Sequence, residues 1–327
     1  MNLNSNDSFV LFQNPNSKDS ILINGQWENY VSQKTGFIIQ SFNSQQQLVL
    51  KGNRTIITNG NITIQPPKGK ESEVDLSKKE YIEQVQKFIS SCNQDLFKVV
   101  SSRVINHTTD HQVNLFELFK ALSQQYKNAF VYILNIPNQG MWMGATPETI
   151  VAKAEKNIYT MALAGSQVKT EKEIKWKEKE QEEHQFVIED ILNKLSNNGI
   201  PSTKQDTTTI FAGNVAHLHT LINIDSKVEE LKQIADILHP TSAVCGMPQE
   251  KAKNFIDKNE PHNREYYTGY LGMLDKNLYV NLRSMKVFTQ KFKLYVGGGI
   301  TKASNAEKEW EETELKSKTL LSVIEKM

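Results

Sequence analysis

The chain has 327 residues, 38 of them basic and 37 acidic, with a formal net charge of +1 and two cysteines. Near-neutrality excludes the broad positive field that nucleic acid or an anionic membrane surface would need, so any anionic ligand must be caught by a few local charges. Cys92 and Cys245 are too few for a disulfide framework, and neither stands in a C-x-x-C or His-rich metal pattern.

The first segment, MNLNSNDSFVLFQNPNSKDS, lacks a basic stretch followed by a long apolar one. No part of the chain approaches the ~20 apolar residues of a membrane span, so a cytoplasmic protein is expected. Residues 1 to about 70 read as short strands between polar turns: Phe9–Phe12, Phe37–Ile39, Leu48–Leu50 and Ile62–Ile64. Ser77-Lys-Lys-Glu80 is a capping-box pattern, and Tyr81, Ile82, Val85, Phe88, Ile89 and Cys92 follow at helical spacing. The strand Phe97–Val100 comes next, then an amphipathic helix from about Leu115 to Tyr126 and the strand Phe130–Leu134. Thr149–Val151 and Ile158–Met161 suit a hairpin turning at Glu155-Lys156-Asn157.

From Thr170 to about Leu195 runs the only charge-dense segment, expected as a helix with most of its charges solvated. A strand region from Ile210 to Ile224, a helix from Val228 to Leu238 and a loop from Pro240 to Pro248 precede a final hairpin and helix. No internal repeat or long Gly/Ser linker divides the chain.

The last segment carries the most chemistry. Arg283 is expected on a strand, the return strand ends in Gly297-Gly298-Gly299, and the helix beyond presents Glu309, Glu312 and Lys316 along one face. Glycines let backbone N–H groups approach a ligand, arginine clamps a carboxylate in a fork, and a carboxylate pair suits Mg²⁺. Ordinary i,i+4 charge pairs on a solvated helix would give the same residue types, and the segment alone leaves both readings open.

Read with others, GGGITKASNAEKEWEETELKSK resembles the closing block of the chorismate-utilising enzyme family. The other blocks are Lys98-Val-Val-Ser-Ser-Arg103, Met143-Gly-Ala-Thr-Pro-Glu148, Leu163-Ala-Gly-Ser166, Glu182-Glu183-His184, His217-Leu-His-Thr220, Leu238-His-Pro-Thr-Ser-Ala-Val-Cys-Gly-Met-Pro248, Arg264-Glu-Tyr-Tyr-Thr-Gly269 and Leu282-Arg283-Ser284. They stand in the family's order over roughly residues 95 to 320. The resemblance implies an α+β fold: a large, mostly antiparallel two-layer β core with helices packed outside and one deep cleft. Residues 1–75 would form a short N-terminal β-rich part of that fold, and residues 76–327 its chorismate-binding core.

The same resemblance implies the roles. Lys98, which by itself reads as an edge-exposed strand lysine, would be the general base; isochorismate and salicylate synthases carry lysine there, anthranilate synthases glutamine. Glu148, by itself a surface carboxylate, would be the general acid, with a pKa raised by burial or a neighbouring carboxylate. Glu183 and Glu312 would bind Mg²⁺, with Glu309 reaching it through water, and Glu182 would point away because neighbouring helical residues diverge by about 100°. Gly165, Ser166, His217, Ala243, Val244, Tyr267, Arg283, Gly297 and Lys316 would contact the substrate, Arg283 and Tyr267 at the enolpyruvyl carboxylate. His217 by itself reads as a strand histidine sharing a face with His219, and no further His or Cys stands at zinc-ligand spacing.

The implied activity is the Mg²⁺-dependent interconversion of chorismate and isochorismate, serving menaquinone or catechol siderophore synthesis, with the Tyr-Tyr-Thr-Gly stretch pointing to menaquinone. Salicylate synthase, the anthranilate or aminodeoxychorismate synthases and an inactive chorismate-binding protein are the rivals. A monomer or weak dimer is expected, acting on a small molecule and not on nucleic acid or membrane. The chain departs from the family in a short N-terminal region and in a shortened stretch between Ser166 and Glu183 that lacks Arg-Pro-Arg-Gly.

Overall fold

The computed structural model describes residues 1–58, 62–69, 75–154, 157–168, 174–212, 215–225 and 230–327. Strand sequences that are apolar at every position, such as Phe9-Val10-Leu11-Phe12 and Phe130–Leu134, can be buried on both faces only if the sheet is covered on both. That is how the chain folds. One long antiparallel ribbon coils back on itself, and helices cover its outer faces.

From one end the ribbon runs through the hairpin Thr208–Ala212 and Val215–Ile224, then Asn157–Val168, Thr149–Ala154, Asn277–Val280 and Tyr270–Met273. It continues through Phe37–Gln40, Gln47–Ile57, Ser20–Asn29, Ser8–Gln13, Phe130–Ile136 and Gly140–Thr146. Ser284–Phe288, Lys291–Thr301, Lys98–Thr108 and the short Gly246–Met247 follow, and Ser202–Lys204 pairs beside the first hairpin on Val215–Ile224. Phe12, Phe37, Phe130, Tyr132, Trp142, Tyr279 and Tyr295 fill the space between the layers. Asn2–Leu3 and Thr63–Ile64 form a separate parallel pair.

Six helices are described: α1 (Lys78–Ser91), α2 (Leu115–Gln125), α3 (Glu178–Asn197), α4 (Leu231–Leu238), α5 (Gln249–Asn259) and α6 (Ala306–Ile324). The capping box of α1 forms, with Glu80 N donating to Ser77 Oγ and Ser77 N donating to Glu80 Oε2, a cap worth about 1 kcal/mol. Side chains of α2 and α6 share one core cluster with the strands beneath them, α3 and α4 a second, α1 and α5 a third. Along α6 the buried face changes from Glu309, Thr313 and Ser317 to Leu320, Val323 and Ile324. Its polar end lies over the glycine strand.

Three expectations change. The charged helix starts at Glu178 and the helix expected from Val228 at Leu231: Ile174–Lys177 are not helical, and residues 170–173 and 228–229 of the expected helices lie outside the described residues, as do residues 213–214 of the expected strand region and Glu155 and Lys156 of the expected hairpin turn. Ser20–Asn29 forms a strand that periodicity did not suggest, because its second half is largely exposed and polar. Lys98 is not on an edge. Its strand lies between Lys291–Thr301 and Gly246–Met247, and the residue is 1 % exposed.

Candidate active site

The two ends of the ribbon face each other across a cleft lined by polar and apolar side chains of both. One wall carries Leu163, Ala164, Gly165 and His217; the other carries Lys98, Val100 and Gly297–Gly299. Glu183 descends from α3, Glu312 and Lys316 from α6, and Ala243 and Val244 from the loop before Gly246. Glu148, Tyr267 and Arg283 complete the expected set. Ser166 lies in the strand Asn157–Val168, with its side chain outside what is described. Glu309 is buried behind the lining rather than in it.

Lys98 Nζ lies 2.9 Å from Glu183 Oε1, an ion pair that joins the two walls. Glu182 is exposed, as the helical geometry requires. Lys316 Nζ pairs with Glu312 Oε1 at 2.6 Å and donates to Gly297 O at 2.9 Å. Arg283 sits in a bend before its strand, at φ +47°, rather than on the strand. Its Nη1 donates to Lys316 O at 3.2 Å, and burial lowers its pKa without costing a guanidinium its charge.

Glu148 is placed by its turn. Thr146 Oγ1 donates to Val280 O, and Val280 N donates to Glu148 O at 2.9 Å. The carboxyl is almost fully buried, and burial lifts its pKa to about 8 despite the opposing pull of Lys98, Lys316 and Arg283. At neutral pH it therefore holds a proton. Lys98, Lys316 and Arg283 stand around it among the carboxylates of Glu183 and Glu312, with Glu309 behind them.

Gly165, at φ +69°, turns its carbonyl toward His217, whose Nδ1 lies 2.7 Å away. A carbonyl only accepts, so Nδ1 carries the hydrogen. Burial, reinforced by Arg283, holds the ring neutral with a pKa of about 3, and the lone pair is on Nε2. Tyr267 stacks on Tyr295 at 5.4 Å between ring centroids, and burial raises its hydroxyl to about 12, so it remains a neutral donor.

The glycines form a cradle. A methyl group on Gly299 would lie 2.7 Å from Glu183 Oε1 and 2.8 Å from Lys98 Cε; one on Gly298 would lie 3.3 Å from Glu309 Oε2 and 3.8 Å from Glu312 Oε1. Three carboxylates thus approach one stretch of bare backbone. Among the described residues no group of three His, Cys, Asp or Glu side chains is arranged to hold a metal ion. A cation here would take one or two carboxylates and complete its shell with ligand oxygens and water, as Mg²⁺ does. The all-oxygen donor set fits that ion.

Leu163, Leu282, Thr268, Val100, Pro147 and Tyr295 also line the cleft and were not singled out from the sequence. The first five lie inside the quoted motif blocks. Tyr295 lies outside them all, and only the strand register reveals it.

A sequence profile of the family described as chorismate binding enzyme matches residues 28–325. The vibriobactin-specific isochorismate synthase of Vibrio cholerae is 31% identical over 250 residues, covering 69% of this chain and 62% of that protein. Isochorismate synthase MenF of Escherichia coli is 29% identical over 247 residues, covering 71% and 56%. The aligned stretch therefore spans about three fifths of these curated relatives. The structure of the menaquinone-specific isochorismate synthase MenF of Escherichia coli superposes with a TM-score of 0.81, 20% identity and coverage of 98% of this chain and 89% of that one. Anthranilate synthase component I of Streptococcus pneumoniae superposes at 0.69, with 16% identity and 96% and 92% coverage. At these identities the superpositions speak for the α+β fold alone.

Proposed function

This chain belongs to the chorismate binding enzyme family, and we propose that it is an isochorismate synthase, adding water at one ring carbon of chorismate while a hydroxyl leaves another. The observation that carries the reading is the pairing, in one cleft, of a buried lysine at position 98 with a carboxyl at position 148 that keeps its proton at neutral pH. A lysine in its neutral form can take a proton from water, whereas the glutamine expected of an anthranilate synthase cannot. Glu148 is the acid that protonates the departing hydroxyl. Arg283 and Tyr267 hold the enolpyruvyl carboxylate, Lys316 balances charge beside it, and neutral His217 accepts a hydrogen bond from the ring hydroxyl through Nε2. Gly165, Ser166 and Gly297 place donors and backbone against the substrate.

Glu183 and Glu312 would hold Mg²⁺, with Glu309 behind them. Bound there, the ion supplies positive charge to the ring carboxylate. The residues around the site do the rest. Fixing base, acid and ring in one geometry removes much of the barrier.

Ala243 and Val244 close part of the cleft with side chains that offer no proton acceptor. A second step, elimination of pyruvate to salicylate, needs a base at the ring hydrogen, so this wall favours release of isochorismate. The menaquinone destination rests on the Tyr266-Tyr267-Thr268-Gly269 stretch, and a deletion strain that lost menaquinone would support it.

The test is product analysis with chorismate and Mg²⁺. Isochorismate should accumulate to an equilibrium with chorismate at neutral pH, with little pyruvate, and the reverse reaction should be measurable. Pyruvate released as fast as isochorismate, read through lactate dehydrogenase, would favour salicylate synthase. No product would favour a binding protein.

A further inference from the structure

We propose that Arg264, held by Glu260, is a positioning residue that sets the angle between the strand bearing Lys98 and the loop bearing Val244, and through it the register of base and substrate wall. The inference rests on the isochorismate synthase reading but concerns residues outside the cleft lining.

The strand and the loop start as a ladder. Phe97 N donates to Met247 O at 2.9 Å, Gly246 is paired with Val99, and Val100 N donates to Cys245 O at 2.8 Å. Past that bond the two segments diverge, Val100 toward Ser101 and Val244 toward Ala243. The Arg264 guanidinium occupies the fork. Nη2 donates to Val100 O and Nη1 to Val244 O, each at 2.8 Å.

The guanidinium is itself held from behind. Nε donates to Glu260 Oε2 at 2.8 Å, Nη2 also to Glu260 Oε1 at 2.6 Å, and Nη1 also to Thr268 Oγ1 at 3.4 Å. All five N–H groups are used, and the Phe42 ring centroid lies 4.5 Å from Cζ. Glu260 Oε1 also accepts from Ser102 N at 2.7 Å and from Ser102 Oγ at 2.9 Å, which ties the pair to the Lys98 strand. Both side chains are 2 % exposed. Such a pair is weak evidence for stability, because desolvating two charges offsets their attraction. A rigid, fully used fork is a strong device for fixing two carbonyls at a set spacing.

The geometry carries a specific expectation for Arg264→Lys. An ammonium retains the charge beside Glu260 but cannot serve two carbonyls and both carboxylate oxygens at once. A misplacement of about 1 Å can cost about a hundredfold in rate. The kcat for isochorismate formation should fall at least tenfold per folded enzyme, while KM changes less than about threefold because Arg283 and Lys316 are untouched. Amide exchange should rise in residues 243–247 and not across α2, which lies elsewhere. Glu260→Gln, which keeps the hydrogen bonds to Ser102 but loses the charge, should move both readouts the same way by a smaller factor, and it serves if the lysine variant does not fold.

A folded variant with kcat within twofold of the parent overturns the proposal, as does exchange that rises uniformly across the chain, which marks a merely structural residue. If the parent makes no isochorismate the functional reading fails on its own. The exchange measurement still decides the brace, which is overturned if residues 243–247 exchange alike in variant and parent.

Discussion

Replacing Glu148 with glutamine should make the protein more stable and inactive, with the stability gain confined to pH above about 5. The carboxyl titrates at about 8 in the fold against 4.5 when exposed, chiefly because it is buried. Between those values the folded chain holds a proton that the unfolded chain has released. Stability from this group is therefore complete below pH 4.5 and is lost as pH rises toward 8. At ~1.36 kcal/mol per pH unit, the gap from 4.5 to about 8 amounts to about 5 kcal/mol of destabilisation by pH 8. Glutamine copies the shape of the protonated acid without titrating and removes that penalty. Denaturant unfolding of parent and Glu148→Gln at pH 5 and pH 8 measures it: the variant's advantage should grow by several kcal/mol between the two. The same carboxyl governs rate, and parental isochorismate formation should decline about tenfold per pH unit once pH exceeds about 8. An advantage of equal size at both pH values, or a parental rate flat from pH 7 to 9.5, would refute a buried protonated acid at this position.

Lys98→Gln should lower turnover by about 10²–10⁴ while the amide keeps a hydrogen bond to Glu183; a folded variant with more than a tenth of the parental rate would remove the base from position 98. Alanine is the poorer probe, because it would remove the Lys98–Glu183 ion pair and leave a void where the buried side chain stood. Glu312→Gln should weaken Mg²⁺ activation more than Glu309→Gln, since Glu309 stands behind the lining; indistinguishable metal titrations would overturn that ranking. Gly299→Ala should cost far more activity than Gly298→Ala, because its methyl would meet Glu183 Oε1 at 2.7 Å and Lys98 Cε at 2.8 Å, against 3.3 Å for the nearest atom at Gly298. Equal rates for the two alanine variants would dismiss the close approach of the ion pair to the strand.

The lining was legible wherever a chemical residue sits inside a compact local motif. Glu148 follows its own turn, Glu312 and Lys316 share one helical face, and Gly297–Gly299 announce close backbone approach, so the type and place of these residues could be read together. What stayed hidden depends on partners distant in sequence. Burial of Lys98 follows from its two strand neighbours, and the positive φ of Arg283 follows from a bend that no local pattern marks. Tyr295 enters the cleft through register alone. The strand Ser20–Asn29 escaped because its second half, Gly25–Asn29, is largely exposed and carries one large apolar residue, Trp27. The burial of Glu260 and Arg264 as a pair is likewise marked by no local pattern, since i,i+4 charges are solvated on most surfaces.

The coiling of the ribbon has a consequence for how the protein comes to be active. Strand Lys98–Thr108 pairs with Lys291–Thr301, and Glu312 and Lys316 follow only in the last helix. A chain emerging from the ribosome can therefore pair Ser8–Gln13 with Ser20–Asn29 early, since those strands are neighbours in sequence. The strand bearing Lys98 must wait for nearly the whole chain before its long partner exists. Such distant pairings make folding slow, because loop closure comes before the contacts that reward it. Catalytic competence should thus appear late and all at once. In refolding, activity should lag behind the bulk of the β signal, and removal of α6 should abolish turnover even where much of the sheet remains.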